Sequence, residues 1–373
     1  MAPEAVDAML PYLTSSGNFA NAASSQHSYG QNAASAIDNA RSEMAHGLRC
    51  NPKDIIFTSG ATESNNLALS GFTLGHRNRG KHIVTSAHEH KSVLDCCRHL
   101  ESQGIKVTYL RPSGDGLLTI DSILNAVTDE TVLVSLMHVN NETGVMQDIG
   151  RIADALNEKG ITFHVDAAQS AGKVPIDLSA MPIDLLSLSA HKFHGPKGIG
   201  CLYVRKRKQA GLTPLFYGGG QEYSLRPGTL PTHQIVSMAA AFSLACERQE
   251  ADAEHCRQLR QTLRTVLGKL DGVHWNGDQN DVIPHIVNVS FEDVGADALL
   301  IALRDNVAIS SGSACNSGAI EPSHVLRAMG IEGDRLYGAV RISFGRYTTA
   351  AEMEQAGQSI GEAVIRLRKW AAE

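Results

Sequence analysis

The residues Ser187-Leu188-Ser189-Ala190-His191-Lys192-Phe193-His194-Gly195-Pro196 decide the fold class of this chain. They form a short apolar run that ends beside a histidine and a lysine and then meets a Gly-Pro turn. Similar β-branched runs precede this stretch, and segments with helical spacing separate them, for example at 92–100 and 149–157. Strand–helix alternation of this kind predicts an α/β fold with a mostly parallel sheet wrapped by helices. The predicted strands are 55–58, 82–86, 106–110, 131–136, 161–165, 185–189 and 199–204.

A second, smaller α/β unit follows a long helical stretch at 231–268. Its predicted strands are 286–290, 307–310 and 340–344, and a final helix is predicted at 350–370. We therefore expect a large domain at residues 1–249 and a small C-terminal domain at residues 250–373. The first few residues are alternatively assigned to the small domain.

Composition excludes several classes of protein. The 373 residues are 43% hydrophobic and 19% charged, which is typical of a globular protein, and the net charge of −6 argues against direct nucleic-acid binding. Seven scattered cysteines without a CxxC pair form neither a disulfide framework nor a metal ligand set. They indicate a reducing cytoplasm. No apolar run approaches the roughly 20 residues that cross a bilayer, so no membrane association is expected.

Lys192 and Asp166 are the strongest candidates for chemistry. Lys192 follows a buried strand, where an amine is well placed to form a Schiff base with an aldehyde cofactor. Asp166 ends the apolar run 161–165 and precedes Ala167-Ala168-Gln169. Pyridoxal 5'-phosphate needs a lysine for its aldehyde and a carboxylate for its pyridine nitrogen. The pair therefore predicts a pyridoxal-phosphate enzyme.

Three further segments follow predicted strands and favour the same edge of the sheet. Gly60-Ala61-Thr62 opens a helix whose backbone N–H groups suit a phosphate, although an ordinary helix start explains the segment equally well when taken alone. His90 suits stacking on a ring and proton transfer, whereas an isolated histidine is more often structural. Asn141 either serves a turn or bonds the cofactor or a substrate carboxylate.

Cys315 lies in the polar, small-residue segment Ser310-Ser311-Gly312-Ser313-Ala314-Cys315. Structural cysteines prefer apolar neighbours, as Cys201 has in Gly200 and Leu202. A cysteine in a polar loop is typical of a reactive thiol. Arg341 and Arg346 are candidates for clamping an α-carboxylate, because a guanidinium matches it with two hydrogen bonds. The hydroxyl of Thr229, in a glycine-rich turn, is a candidate phosphate donor.

These motifs resemble the NifS-like cysteine desulfurases of the class V aminotransferase family, which have the fold-type I pyridoxal-phosphate transferase fold. The similarity runs from about residue 15 to 350. It rests on segments of restricted composition that occur in the family's order: 58–64, 137–142, 164–166, 189–192, 226–231 and 310–315.

The resemblance implies a reaction and roles for single residues. L-Cysteine would yield L-alanine, while Cys315 would take up the sulfane sulfur as a persulfide. Lys192 would be the Schiff-base lysine and general base, Asp166 would hold the pyridinium proton, and His90 would stack on the ring. Gln169 would bond the cofactor phenolate oxygen, and Asn141 and Arg341 would bind the substrate carboxylate. The phosphate would be held by Ala61, Thr62, Ser189 and His191. Thr229 of the partner subunit in a homodimer would complete the phosphate site.

The sulfur acceptor stays open at this point. Family members supply iron–sulfur scaffolds, tRNA-thiolation enzymes or DNA-phosphorothioation systems. Family members also usually begin with a segment that lines the active-site entrance, and Met1-Ala2-Pro3-Glu4 starts just after it. This difference predicts reduced activity and leaves open an impaired homologue that acts as a binding partner in a sulfur-transfer complex. A separate alternative is a lyase or transaminase on the same scaffold, in which Cys315 is structural.

Overall fold

Seven strands form the central sheet of the computed structural model, which describes residues 1–76, 78, 80–311 and 322–372. Their order is β1-β7-β6-β5-β4-β2-β3, and only β7 runs antiparallel to its neighbours. The sequence prediction of a mostly parallel sheet is therefore confirmed. The strands are β1 (Ile55–Thr58), β2 (His82–Ser86), β3 (Lys106–Leu110), β4 (Thr131–Met137), β5 (Thr162–Asp166), β6 (Leu185–Ser189) and β7 (Gly200–Val204).

Helices cover both faces of this sheet. In the large unit they are α1 (Pro3–Met9), α2 (Ser28–Leu48), α3 (Ala61–Asn66), α4 (Phe72–Gly75), α5 (Lys91–Ser102), α6 (Ile120–Ala126), α7 (Ile149–Glu158) and α8 (Thr232–Glu247). A π-helical turn, Leu67–Gly71, joins α3 to α4. The other helices are α9 (Gln249–Leu267), α10 (Ala296–Leu303), α11 (His324–Ala328), α12 (Gly333–Tyr337) and α13 (Ala350–Ala372).

Alternation along each strand divides the core between the two faces. In β1, Ile55 and Phe57 join the core beneath α2, α7 and α8, whereas Ile56 joins the core beneath α4 and α5. Every residue of β1 is buried. A strand covered on both faces has a continuous apolar sequence, which explains why the strand bounds predicted from the sequence are close to the observed ones.

A second sheet, with the order β10-β9-β8, carries the C-terminal part of the chain. Its strands are β8 (Val273–Trp275), β9 (Ile286–Phe291) and β10 (Ala339–Ser343), and all are antiparallel. Leu263 of α9 and Ile360 of α13 pack with Val289 in a separate core. We propose the domain boundary between residues 249 and 250, in the first turn of α9, just after Arg248 links α8 to α9. Ala2 and Ala5 are fully buried in the large unit's core, so we place the N-terminal residues there and not in the small domain.

The predicted strand at 307–310 is wrong. Only Ser310 pairs with a neighbouring strand, through two backbone hydrogen bonds with Arg341 (3.1 and 2.6 Å). Val307 and Ile309 instead contribute apolar surface to the small core, which accounts for their β-branched pattern. Within the described ranges, no helix is both long enough and apolar enough to span a membrane.

Candidate active site

Lys192 lies in a single 3₁₀ turn, Ala190–Phe193, directly after β6. It faces a cleft of about 450 Å³, a volume within the usual range for a small-molecule site. Its Nζ has no hydrogen-bond partner among the described residues. Burial, followed by the positive charge of Arg341, lowers the pKa of Lys192, while Asp166 acts in the opposite direction. A lowered pKa raises the fraction of neutral amine, which is the nucleophilic form.

Asp166 ends β5, the strand that pairs in parallel with β6. Its carboxylate is 5% exposed and accepts hydrogen bonds from Asn65 Nδ2 (2.8 Å) and from the Ala168 backbone N–H (2.9 Å). Within the described ranges, no lysine or arginine forms an ion pair with it. A buried carboxylate without a cationic partner fits a pyridinium N–H, so the residues present fit pyridoxal phosphate at this end.

The opposite end of the cleft suits a phosphate. Ala61 and Thr62 begin α3, and Gly60 before them has φ +149°. A Cβ on Gly60 would lie 3.3 Å from Ser189 Oγ, so the glycine lets the two segments approach closely. Ser189 Oγ lies 2.9 Å from His191 Nδ1. Backbone N–H groups, hydroxyls and an imidazole thus converge here, as an anion requires.

His90 and Gln169 border the space between these two ends. His90 caps α5, and its Nδ1 accepts a hydrogen bond from the Ser92 backbone N–H (3.1 Å). Burial lowers the pKa of His90, partly offset by Asp166. The imidazole is therefore held largely neutral near pH 7, the form that stacks on a ring and accepts a proton.

Arg341 contacts Asn141, a residue of the cleft, but is not itself among the residues that line the cleft. Arg341 Nη1 donates to the Asn141 carbonyl oxygen (2.8 Å). Arg341 Nε and Asn141 Oδ1 are both buried without a partner in the described part of the chain. Asn141 lines the cleft. Arg346, the other candidate arginine, bonds Asp252 through Nε (2.8 Å) and Nη2 (2.5 Å). Its guanidinium is therefore already occupied by a carboxylate of the protein.

The structure brings most of the predicted site residues into one cleft. Those lining it are Ala61, Thr62, His90, Asn141, Asp166, Gln169, Ser189, His191 and Lys192. Thr229 is exposed and borders a different cavity, with Gln221 and Arg41. Cys315 lies outside the described residues.

Sequence reasoning missed Lys197, Ser92 and Asn65. Lys197 lines the cleft beside Gly198, and its place in a Gly-Pro-Lys-Gly turn close behind Lys192 was a usable signal. Ser92 lines the cleft from the first turn of α5. Asn65 is fully buried within α3, a position that no local pattern in the sequence marks.

Comparison with known proteins agrees with this geometry. The family model described as aminotransferase class-V matches residues 1–356. The cysteine desulfurase IscS of Vibrio campbellii is 49% identical over 98% of this chain and 90% of its own length. A solved NifS-like protein has a TM-score of 0.90 at 33% identity, covering 97% of this chain and 95% of that one. The solved structure of SspA in complex with cysteine has a TM-score of 0.83 at 38% identity, covering 94% and 97%.

The chain belongs to the class-V aminotransferase family. Within that family it is a cysteine desulfurase, a transferase that depends on pyridoxal phosphate.

Proposed function

We propose that this desulfurase converts L-cysteine to L-alanine in the cleft around Lys192 and delivers the sulfur through Cys315 to an acceptor protein. The observation that carries the assignment is that the cleft brings together Lys192, whose amine has no hydrogen-bond partner in the described residues, and Asp166, a buried carboxylate that forms no ion pair with a described lysine or arginine. Asp166 ends β5, and Lys192 follows the parallel neighbour β6, at the edge where α/β sheets bind ligands.

Bound pyridoxal phosphate supplies an aldehyde for the substrate amine and a ring that accepts electrons from the substrate α-carbon. Lys192 moves the proton at that carbon, for which its lowered pKa suits it. Asp166 holds the proton at the ring nitrogen, and His90 assists proton transfer. Gln169 bonds the phenolate oxygen, while Ala61, Thr62, Ser189 and His191 hold the phosphate.

Asn141 and Arg341 orient the substrate carboxylate towards the cleft. The unpartnered Nε of Arg341 and the bond from its Nη1 to the Asn141 carbonyl support this role. Cys315 then attacks the substrate sulfur as a thiolate: the new S–S bond forms while the substrate C–S bond breaks. The bonding electrons stay with the substrate carbon, which takes up a proton and becomes the methyl group of alanine.

We also propose that the enzyme is a homodimer in which Thr229 of the partner subunit completes the phosphate site. In one chain Thr229 is exposed and lies outside the cleft. Phe216 and Tyr217, shortly before it, are 45% and 83% exposed, which suits burial against a second copy.

The acceptor is a protein of iron–sulfur assembly, tRNA thiolation or DNA phosphorothioation. A cytoplasmic setting accompanies this proposal, because the six described cysteines are free thiols, as is usual in a reducing compartment. The relatives at 49% identity favour an active enzyme over the impaired homologue.

Two variants test the assignment. Wild-type protein should release L-alanine from L-cysteine and carry the cofactor on Lys192 after borohydride reduction, as read by peptide mass spectrometry. Lys192→Ala should lose both properties. Cys315→Ala should keep the cofactor but form no persulfide, and Cys50→Ala is the matched control, because burial raises the pKa of the Cys50 thiol to about 12 and makes it inert.

The contrary results are equally specific. Sulfide release from L-cysteine at full rate by Cys315→Ala would favour the lyase or transaminase with a structural cysteine. Cofactor binding by the wild type with no alanine at all would favour the impaired homologue.

A further inference from the structure

Asn65 connects two residues that line the cofactor cleft, Asp166 and Ser92. Its side chain is fully buried in α3, and its Nδ2 donates to Asp166 Oδ2 (2.8 Å) and to Ser92 Oγ (2.9 Å). Ser92 Oγ in turn lies 2.9 Å from His90 Nδ1. A continuous hydrogen-bond chain therefore runs from Asp166 through Asn65 and Ser92 to His90.

The chemistry of the groups fixes the direction of each bond. A carboxylate only accepts, so the Asn65 amide must turn its NH₂ group towards Asp166. The same NH₂ group donates to Ser92 Oγ, which leaves the Ser92 hydroxyl proton free to donate to His90 Nδ1. That nitrogen also accepts from the Ser92 backbone N–H. Neutral His90 therefore carries its proton on Nε2.

We propose that Asn65 and Ser92 are positioning residues that couple the ring-nitrogen carboxylate Asp166 to the orientation and tautomer of His90. This inference rests on the proposed function, which assigns Asp166 to the ring nitrogen of the cofactor and His90 to the ring itself. Second-sphere bonds of this kind hold catalytic groups within the narrow range of geometry that the chemistry needs.

Loss of the hydrogen-bond chain between Asp166 and His90 has a predictable electrostatic consequence. A donor to Nδ1 stabilises the neutral imidazole, so its removal favours protonated His90. The other charged or titratable groups that act on His90 are Asp166, Lys192, His324 and Glu142. Asn65→Leu also removes a hydrogen bond to Asp166, whereas Ser92→Ala leaves that bond in place and removes the hydroxyl contact with His90. In Ser92→Ala, a change in the pH midpoint of the site then reports on the hydrogen-bond chain to His90.

The test compares Asn65→Leu and Ser92→Ala with two matched controls. Asn66→Leu alters the neighbouring asparagine, whose amide bonds the Thr62 carbonyl in the same helix. Ser102→Ala alters the serine at the other end of α5, which bonds the His99 carbonyl. The measurements are the pH midpoint of the bound cofactor's visible absorbance band and the dissociation constant for pyridoxal phosphate, with circular dichroism to check folding.

Both test variants should move the pH midpoint in the same direction by about half a unit to one unit, the size of shift that the loss of one hydrogen bond produces. The double variant should move the pH midpoint no further than Asn65→Leu alone, since both residues belong to one hydrogen-bond chain. Asn65→Leu should also weaken cofactor binding about tenfold, whereas Ser92→Ala should not.

Unchanged midpoints in folded variants would overturn the inference, as would fully additive shifts. If Asn65→Leu does not fold, Ser92→Ala decides alone. A wild-type protein that binds no cofactor at Lys192 would instead contradict the proposed function, which separates the two failures.

Discussion

Ser323 donates its hydroxyl to Glu142 across 2.5 Å, and both side chains are 2% exposed. Ser323 also caps α11 by accepting from the Leu326 backbone N–H (3.1 Å). The next residue, His324, contacts the Glu89 carbonyl oxygen through Nε2 (2.9 Å). The start of α11, which follows the Cys315 segment in sequence, is thus fixed to the two turns that carry Asn141 and His90.

Ser323→Ala should slow the formation of the Cys315 persulfide several-fold while leaving the affinity for pyridoxal phosphate unchanged. The substitution removes the bond to the buried Glu142 carboxylate, a loss of about 1–3 kcal/mol that loosens the start of α11. Single-turnover labelling of the persulfide measures the rate. Ser179→Ala is the control, because Ser179 makes the same type of bond to Asp177 on the exposed surface. Equal persulfide rates in Ser323→Ala and wild type would show that this contact has no role in sulfur transfer.

Arg341→Lys should raise the KM for L-cysteine at least about tenfold and leave the absorbance of the bound cofactor unchanged. Lysine keeps the charge but loses the planar fork that matches a carboxylate. Steady-state kinetics with an alanine readout measures the effect. Arg346→Lys provides the comparison, because its guanidinium already bonds Asp252. A larger rise in KM for Arg346→Lys would reverse the choice between the two arginines.

The sequence predicted the sheet and the shared cleft because both depend on local patterns. Apolar runs mark buried strands, and parallel strands deliver Asp166 and Lys192 to one edge. Long-range partners leave no such mark. The Asn65–Asp166 bond spans 101 positions, and the Arg346–Asp252 contact, which removes Arg346 from the candidates, spans 94. The strand prediction at 307–310 is wrong for a related reason, since only the packing partner shows whether a β-branched run pairs or simply fills a core.

Acid should destabilise the protein between pH 6.5 and about 3 through His164. This imidazole is buried between Ser135 Oγ (2.8 Å) and Ser187 Oγ (3.0 Å), and burial lowers its pKa to about 3. Below pH 6.5 the unfolded chain takes up a proton that the folded protein refuses, so stability present above pH 6.5 is lost progressively as the pH falls. Urea unfolding at pH 7.5 and pH 5 measures the change.

His164→Gln is the informative variant for that measurement. Glutamine retains hydrogen-bonding groups but does not titrate, so the variant should lose less stability between pH 7.5 and pH 5 than the wild type. An identical loss in both proteins would assign the acid sensitivity to other groups, such as His88 and His138, whose pKa burial lowers to about 4.

Arg41→Ala should lower the free energy of unfolding by about 3–5 kcal/mol, since it leaves a carboxylate buried without its partner. Arg41 bonds Glu222 through Nη1 (2.8 Å) and Nη2 (2.6 Å), and Glu222 also accepts from the Phe57 backbone N–H (2.6 Å). This pair fixes the segment before Thr229, where Glu222, Tyr223 and Ser224 have φ of 45°, 58° and 65°.

Arg49→Ala is the control for this pair. Arg49 follows the same helix, α2, and pairs with Asp177 at 2.8 Å, but its side chain is 71% exposed. An exposed pair of this kind contributes at most about 1 kcal/mol. Urea unfolding of both variants should therefore separate them by at least about 2 kcal/mol, and comparable losses would mean that Glu222 finds another partner or solvent once Arg41 is removed.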